Sequence, residues 1–183
     1  SLLSLDELLP QSVELIRDRF DLDFVGVYLV HEGGGLTAAD WLVLRAGTGD
    51  AGQQLLASRH RVRRDTATLV GKCVVTSNPT IGHDLEDVAA SQGSRLVPDT
   101  RSEAALPLIS RGRVIGALTL QSMRAGVFLD KDISVLRSIA DQLAIAIQNA
   151  RLFEQIGTTV RENEMLYNLS AIVGEARTIP DLA

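Results

Sequence analysis

Hydrophobic positions recur along this chain with two distinct periods. Leu5, Leu8, Leu9, Val13, Ile16 and Phe20 return every three or four residues, which predicts an amphipathic helix. Ser4 and Glu7 stand at capping-box spacing at its start. Pro10 falls in the second turn and implies either a kink or a regular helix that begins only there. Residues 24–30, FVGVYLV, are β-branched and aromatic and predict a central strand, and three glycines at 33–35 predict a turn. Residues 41–46, WLVLRA, predict the second strand, ending at Gly47-Thr48-Gly49. A short helix over 51–58 and a cationic linker over 59–65, RHRVRRD, follow. Residues 68–77 are helical by spacing, with Leu69, Val70, Cys73 and Val74 on one side and Asn78-Pro79 as the stop. Thr80-Ile81 reads as a brief strand, and residues 83–100 as a long polar loop of the kind that is often functional.

The second half is simpler. Two apolar runs within residues 102–122 flank the break Ser110-Arg111-Gly112-Arg113, which predicts an antiparallel hairpin. Asp130 is the expected N-cap of a helix running almost to the C-terminus. Its first stripe, Ile133, Leu136, Ile139, Ala140, Leu143, Ala144 and Ile147, is expected to pack on the sheet. A second stripe, Ala146, Asn149, Phe153, Ile156, Val160 and Asn163, suits pairing with another helix, its two Asn residues setting register. That partner is either a second copy, giving a homodimer, or the first helix of the same chain. The expected class is α+β: a central antiparallel sheet, terminal helices on one face, loops and short helices on the other. A buried hairpin feeding an exposed helix is a layout for passing a conformational signal. Residues 1–157 form the expected domain, and residues 158–183 a connector helix and the start of a following module. Ile179-Pro180-Asp181-Leu182 faintly repeats Leu5-Asp6-Glu7-Leu8, as a second copy of the module would, and the chain reads as a piece of a longer protein.

Composition narrows the function classes. A net charge of −5 disfavours nucleic acid and anionic membrane as main partners. No apolar run reaches the roughly 18 residues needed to span a bilayer. One cysteine, Cys73, excludes an internal disulfide and fits a reducing, cytoplasmic setting.

With those elements in place, the sequence resembles the GAF domain family. The resemblance lies in DFVGVYLV at 23–30, LRAGTGDAG at 44–52, LVGKCVVTSNPTIGHD at 69–84 and RSEAALPLISRGRVIGALTLQS at 101–122. It continues through FLDKD at 128–132 and DQLAIAIQNARL at 141–152. The resemblance implies a sensory module of a bacterial signalling protein, often in tandem arrays and feeding a histidine kinase of a two-component system, a cyclase or a transcriptional regulator. It also implies a ligand pocket between the sheet and the loop-rich side, and dimers through the terminal helices.

Strand alternation supplies the candidate pocket lining. Leu118 and Leu120 share the face expected to meet the helices, which leaves Thr119 and Gln121 towards a ligand. By the same logic Tyr28, Arg45, Ser102 and Ala104 point there, with Val74 and His83 contributed by the covering segments. The alternative is that Thr119 and Gln121 bond to loop backbone and the domain is a ligand-free dimerisation spacer.

No cofactor and no metal are expected. Some family members attach a bilin through cysteine, but Cys73 sits among apolar neighbours and reads as an inert core residue. His83 with Asp84, Glu86 and Asp87 lacks metal-ligand spacing, haem ligation by His83 is the lesser reading, and His31 and His60 fall in predicted loops or linkers. Phe128 and Asp132 match part of a cyclic-nucleotide signature, yet Ile133 replaces its glutamate and Gln121-Ser122 its Asn-Lys pair. Nucleophile-elbow, phosphate-loop and zinc-protease motifs are absent, and the related free methionine sulfoxide reductases depend on several cysteines. The module is therefore expected not to be an enzyme.

Overall fold

The N-terminal helix α1 (Leu5–Phe20) starts where the capping box places it: the Ser4 backbone N–H donates to Glu7 Oε2 at 3.2 Å. Pro10 lies within α1 on its exposed side, so the helix does not wait for it; the proline removes only the bond that the Asp6 carbonyl would accept. The computed structural model describes residues 3–32, 40–85 and 97–176. The Ile179–Leu182 echo lies outside the described residues.

After α1 come β1 (Phe24–Val30), β2 (Trp41–Gly47), α2 (Gly49–Ala57), β3 (Arg61–Arg63), α3 (Leu69–Thr76) and β4 (Thr80–Gly82). The hairpin strands β5 (Ser102–Ser110) and β6 (Arg113–Ser122) and the long helix α4 (Asp130–Ala176) complete the chain. The six strands form one sheet in the order β3-β2-β1-β6-β5-β4, and every neighbouring pair is antiparallel. The expected α+β architecture is the observed one. The cationic stretch expected to be a linker instead contains β3. Val62 alone enters the core between two exposed arginines, too short an alternation to announce a strand.

Alternation along the strands divides the core in two. On one face, Val25, Val27, Leu29, Leu106, Leu108, Leu118 and Leu120 pack against Leu9, Val13 and Ile16 of α1 and against Leu136, Ala140, Leu143, Ala144 and Ile147 of α4. On the other, Tyr28, Leu42, Leu44, Ala105 and Ala117 pack against Val62 and against Val70, Cys73 and Val74 of α3. At about 25 cal/mol per Å² of apolar surface, both layers contribute to stability, the helix-side layer more because it is larger.

Asp130 is the first helical residue of α4 rather than its cap; Asp132 reaches back to accept from the Leu129 N–H at 3.3 Å. α4 is 47 residues long, about 70 Å, and runs unbroken past Gly157. Its buried stripe ends at Ala150, beyond which Phe153, Ile156 and Val160 are exposed. Two contacts fix where it leaves the body: Leu5 N–H donates to Glu154 Oε1 at 3.1 Å, and Arg151 pairs with Glu32 at 3.1 Å. Among the described residues no helix is long and apolar enough to cross a membrane.

Candidate functional site

Strand β6 carries the polar side chains that the alternation singled out. Thr119 and Gln121 lie fully buried on the face away from α1 and α4, beside Tyr28 of β1 and Ala105 of β5. Thr119 Oγ1 donates to Glu103 Oε1 at 3.2 Å, and Gln121 Oε1 accepts from Thr100 Oγ1 at 3.0 Å. Glu103 is 1% exposed. A carboxylate, an amide, two hydroxyls and a phenol thus share one buried face, bordered by the apolar layer under α3. Burial holds the Tyr28 phenol well above its ordinary value and the nearby Glu103 carboxylate adds to the effect, so Tyr28 stays a neutral hydrogen-bonding group.

The structure separates the predicted lining residues. Tyr28, Val74, Thr119 and Gln121 are together on the α3 side. Ala104 is not: it belongs to the layer packed on α4, and Ser102, two residues away on the same strand, donates to the Arg124 carbonyl at 2.5 Å. The cause is one extra residue in β6. The hairpin turn places Arg111 at φ 51° and Gly112 at φ 74°, both in the left-handed region of a two-residue type I′ connection. From that turn an unbroken ladder pairs Ala104 with Thr119 and Ser102 with Gln121. Instead Ile109 faces Val114 while Leu108 faces Gly116, leaving Ile115 without a partner. Beyond this bulge Ala105 opposes Thr119 and Glu103 opposes Gln121, so the residues facing the site change from 102 and 104 to 103 and 105.

Arg45 departs for the same reason. Val27 faces Ala46 and Tyr28 faces Leu44, so Arg45 is the unpaired residue of a second bulge. Its guanidinium lies 3.8 Å from Asp6 of α1, on the helix side. There it lines an open cavity of about 720 Å³ with Val43, Leu29, Arg151 and Glu154. His83 is exposed at the end of β4, where its carbonyl accepts from the Gly126 N–H at 2.8 Å and its neighbour Asp84 pairs with Arg101 at 2.9 Å. Glu86 and Asp87 lie outside the described residues.

Sequence reasoning missed Glu103. Its signal was present, a lone acid within an apolar strand, but alternation with Ser102 and Ala104 turned it towards the helices. It also missed His60, whose ring meets Tyr28 edge-on at 6.0 Å between centroids. His60 Nε2 is buried with no hydrogen-bond partner among the described residues, and burial lowers its pKa. Cys73 is completely buried and its thiol is pushed up to about 12 by desolvation, as an inert core thiol should be.

An antiparallel sheet in this strand order, held between terminal helices and short covering helices, is a recurrent domain architecture, and residues 3–148 match the GAF domain family. The chain belongs to the GAF domain family. No curated protein matches it. Among solved structures, this GAF domain is similar to the GAF domain of an Acinetobacter phosphoenolpyruvate-protein phosphotransferase, with a TM-score of 0.68 and 21% identity over 83% of this chain and 87% of that one. It is similar to the GAF-B domain of DevS from Mycobacterium smegmatis, with a TM-score of 0.62 and 18% identity over 81% of this chain and 96% of that one. It is also similar to a type II free methionine-R-sulfoxide reductase from Thermoplasma acidophilum, with a TM-score of 0.63 and 21% identity over 80% of this chain and 96% of that one.

The reductase corrects one expectation. The module was expected not to be an enzyme, yet its fold is shared with a catalyst, so the GAF architecture gives no ground for excluding catalysis here. At these identities the likeness carries the fold alone.

Proposed function

We propose that this GAF domain is a sensory module of a cytoplasmic bacterial signalling protein. In this reading it binds a small polar molecule on the α3 side of β1, β6 and β5 and transmits through α4. The observation that carries it is the alternation of β5: Glu103 faces the polar cluster, while Ala104, the next residue, packs in the α4 layer. A ligand that moves β5 therefore moves the surface on which α4 rests. Glu103, Thr119, Gln121 and Tyr28 gather polar groups within an apolar surround, the make-up of a site for a small polar molecule. Binding shifts α4 by no more than the ligand's differential affinity for its two arrangements. The output reads best as a pair of α4 helices joined along Ala146, Asn149, Phe153, Ile156, Val160 and Asn163 in a homodimer, passing motion to a following domain such as a histidine kinase.

A second reading, a ligand-free dimerising spacer, is favoured by the burial of Glu103, Thr119 and Gln121 and by their bonds to one another and to Thr100. A thermal-shift series with amino acids, nucleotides and aromatic acids separates the two. A ligand at 100 times its Kd raises stability by about 2.7 kcal/mol, roughly 5–10 °C at this chain length. That shift, abolished in Thr119→Val, supports the sensor; no shift with any class supports the spacer.

A further inference from the structure

Strand β3 gives the sheet an edge unlike the rest of this acidic chain. Arg59, Arg61, Arg63 and Arg64 fall within six positions and all are exposed, in a protein of net charge −5. Among the described residues one of the four makes an ion pair, Arg63 with Asp65 at 3.4 Å. The register sets Arg63 opposite Trp41 and Arg61 opposite Val43. Arg61 Cζ lies 4.0 Å over the Trp41 ring, with Arg63 Cζ at 5.5 Å. Trp41 and Val43 are half-buried there, beyond the cover that α1 and α4 give the other strands. Val43 continues this surface into the cavity of about 720 Å³ that Arg45 also lines.

We propose that this face of β2 and β3 is a docking surface for an acidic protein segment that carries a large apolar residue. The indole holds the Arg61 guanidinium over its face, and Asp65 holds Arg63 through Nε, which leaves the Arg63 terminal nitrogens and the Arg61 guanidinium edge to bond carboxylates. Arg61 and Arg63 project on the same side, about 7 Å apart, within reach of two acids on one short segment. The half-buried Val43 receives the apolar residue at the rim of the cavity, whose other walls are largely polar, and a Trp–Arg surface of this kind is the usual composition of a binding hot spot. A nucleic acid fits less well. The indole face on which a base stacks is already covered by Arg61. A broad anionic bilayer meets Asp40, Asp65 and Glu32 around the patch, whereas a short segment need contact only the arginines between them. The surface is separate from the α3-side cluster, so it stands or falls independently of the sensory reading.

The test is fluorescence anisotropy with a short labelled peptide of alternating glutamate and leucine. Its controls are a lysine–leucine peptide, single-stranded oligothymidine and phosphatidylserine vesicles. The expected result is salt-sensitive binding of the acidic peptide, weakened about tenfold or more in Arg61→Ala/Arg63→Ala and in Trp41→Ala. It should also weaken in Arg61→Lys/Arg63→Lys, which keeps the charge and loses the stacked fork. All are exposed or half-buried positions, and unchanged melting curves verify the fold of each variant. Equal binding by wild type and the alanine pair, or undiminished binding by the lysine pair, overturns the proposal. So does tighter binding of the oligonucleotide or the vesicles, or no binding of the acidic peptide.

Discussion

Thr119 Oγ1 donates to Glu103 Oε1 at 3.2 Å across two neighbouring strands, with both side chains buried. A buried carboxylate needs such donors, because leaving it short of one costs part of its desolvation energy. Thr119→Val keeps shape and removes the donor. It should destabilise the domain by about 1–3 kcal/mol in urea unfolding without changing the slope of the transition. An unchanged midpoint would show that this bond contributes nothing.

Ile115, the unpaired bulge residue, sets which side chains reach that cluster. Deleting it restores an unbroken ladder from the turn and sets Ala104 opposite Thr119, pitting the apolar face of β5 against the polar face of β6. The deletion should cost several kcal/mol or prevent folding, whereas Ile115→Ala, at a half-buried position, should cost about 1–2 kcal/mol. Circular dichroism melting of the two variants measures the contrast. A deletion as mild as the alanine change contradicts the assignment of register to the bulge.

Cys73 predicts an alkaline limb. Its thiol titrates near 9.0 when unfolded and at about 12 in the fold, so between these values the unfolded chain has lost a proton that the native chain keeps. With fewer protons on the unfolded state, stability falls as pH rises through that window. Cys73→Ala should flatten this part of the stability-against-pH curve, although its cavity lowers the whole curve. The native thiol should also react with a disulfide reagent only as fast as the domain opens. Rapid stoichiometric labelling of native protein would contradict its burial.

Phe153, Ile156 and Val160 are exposed along one stripe of α4. If that stripe pairs two copies, Ile156→Glu/Val160→Glu places acids in the seam and converts the dimer to monomer in light scattering, with the melting of the globular body little changed. A dimer undiminished by both charges would place the contact elsewhere.

Much of this was legible beforehand, and the failures have physical causes. The strand residues 24–30, the hairpin turn at 111–112 and the sheet-packing stripe of α4 each repeat one period over enough positions to be read. Thr119 and Gln121 lie on the face away from the helices, as alternation with Leu118 and Leu120 predicts, because no irregularity interrupts β6 between them. Ser102, Ala104 and Arg45 were turned to the wrong face because each inference crossed a bulge, and a bulge leaves no mark in hydrophobic alternation beyond the residue it inserts. Glu103 went unread for that reason, and β3 because a single buried valine carries no period.

The account rests on β5 linking the two faces of the sheet, and amide hydrogen exchange tests this directly. For a compound that raises the melting temperature in the thermal-shift series, exchange should slow at residues 103–105 and also along residues 140–150 of α4, on the opposite face. Protection confined to the α3 side, with α4 unchanged, would contradict transmission through the sheet, as would the absence of any stabilising compound.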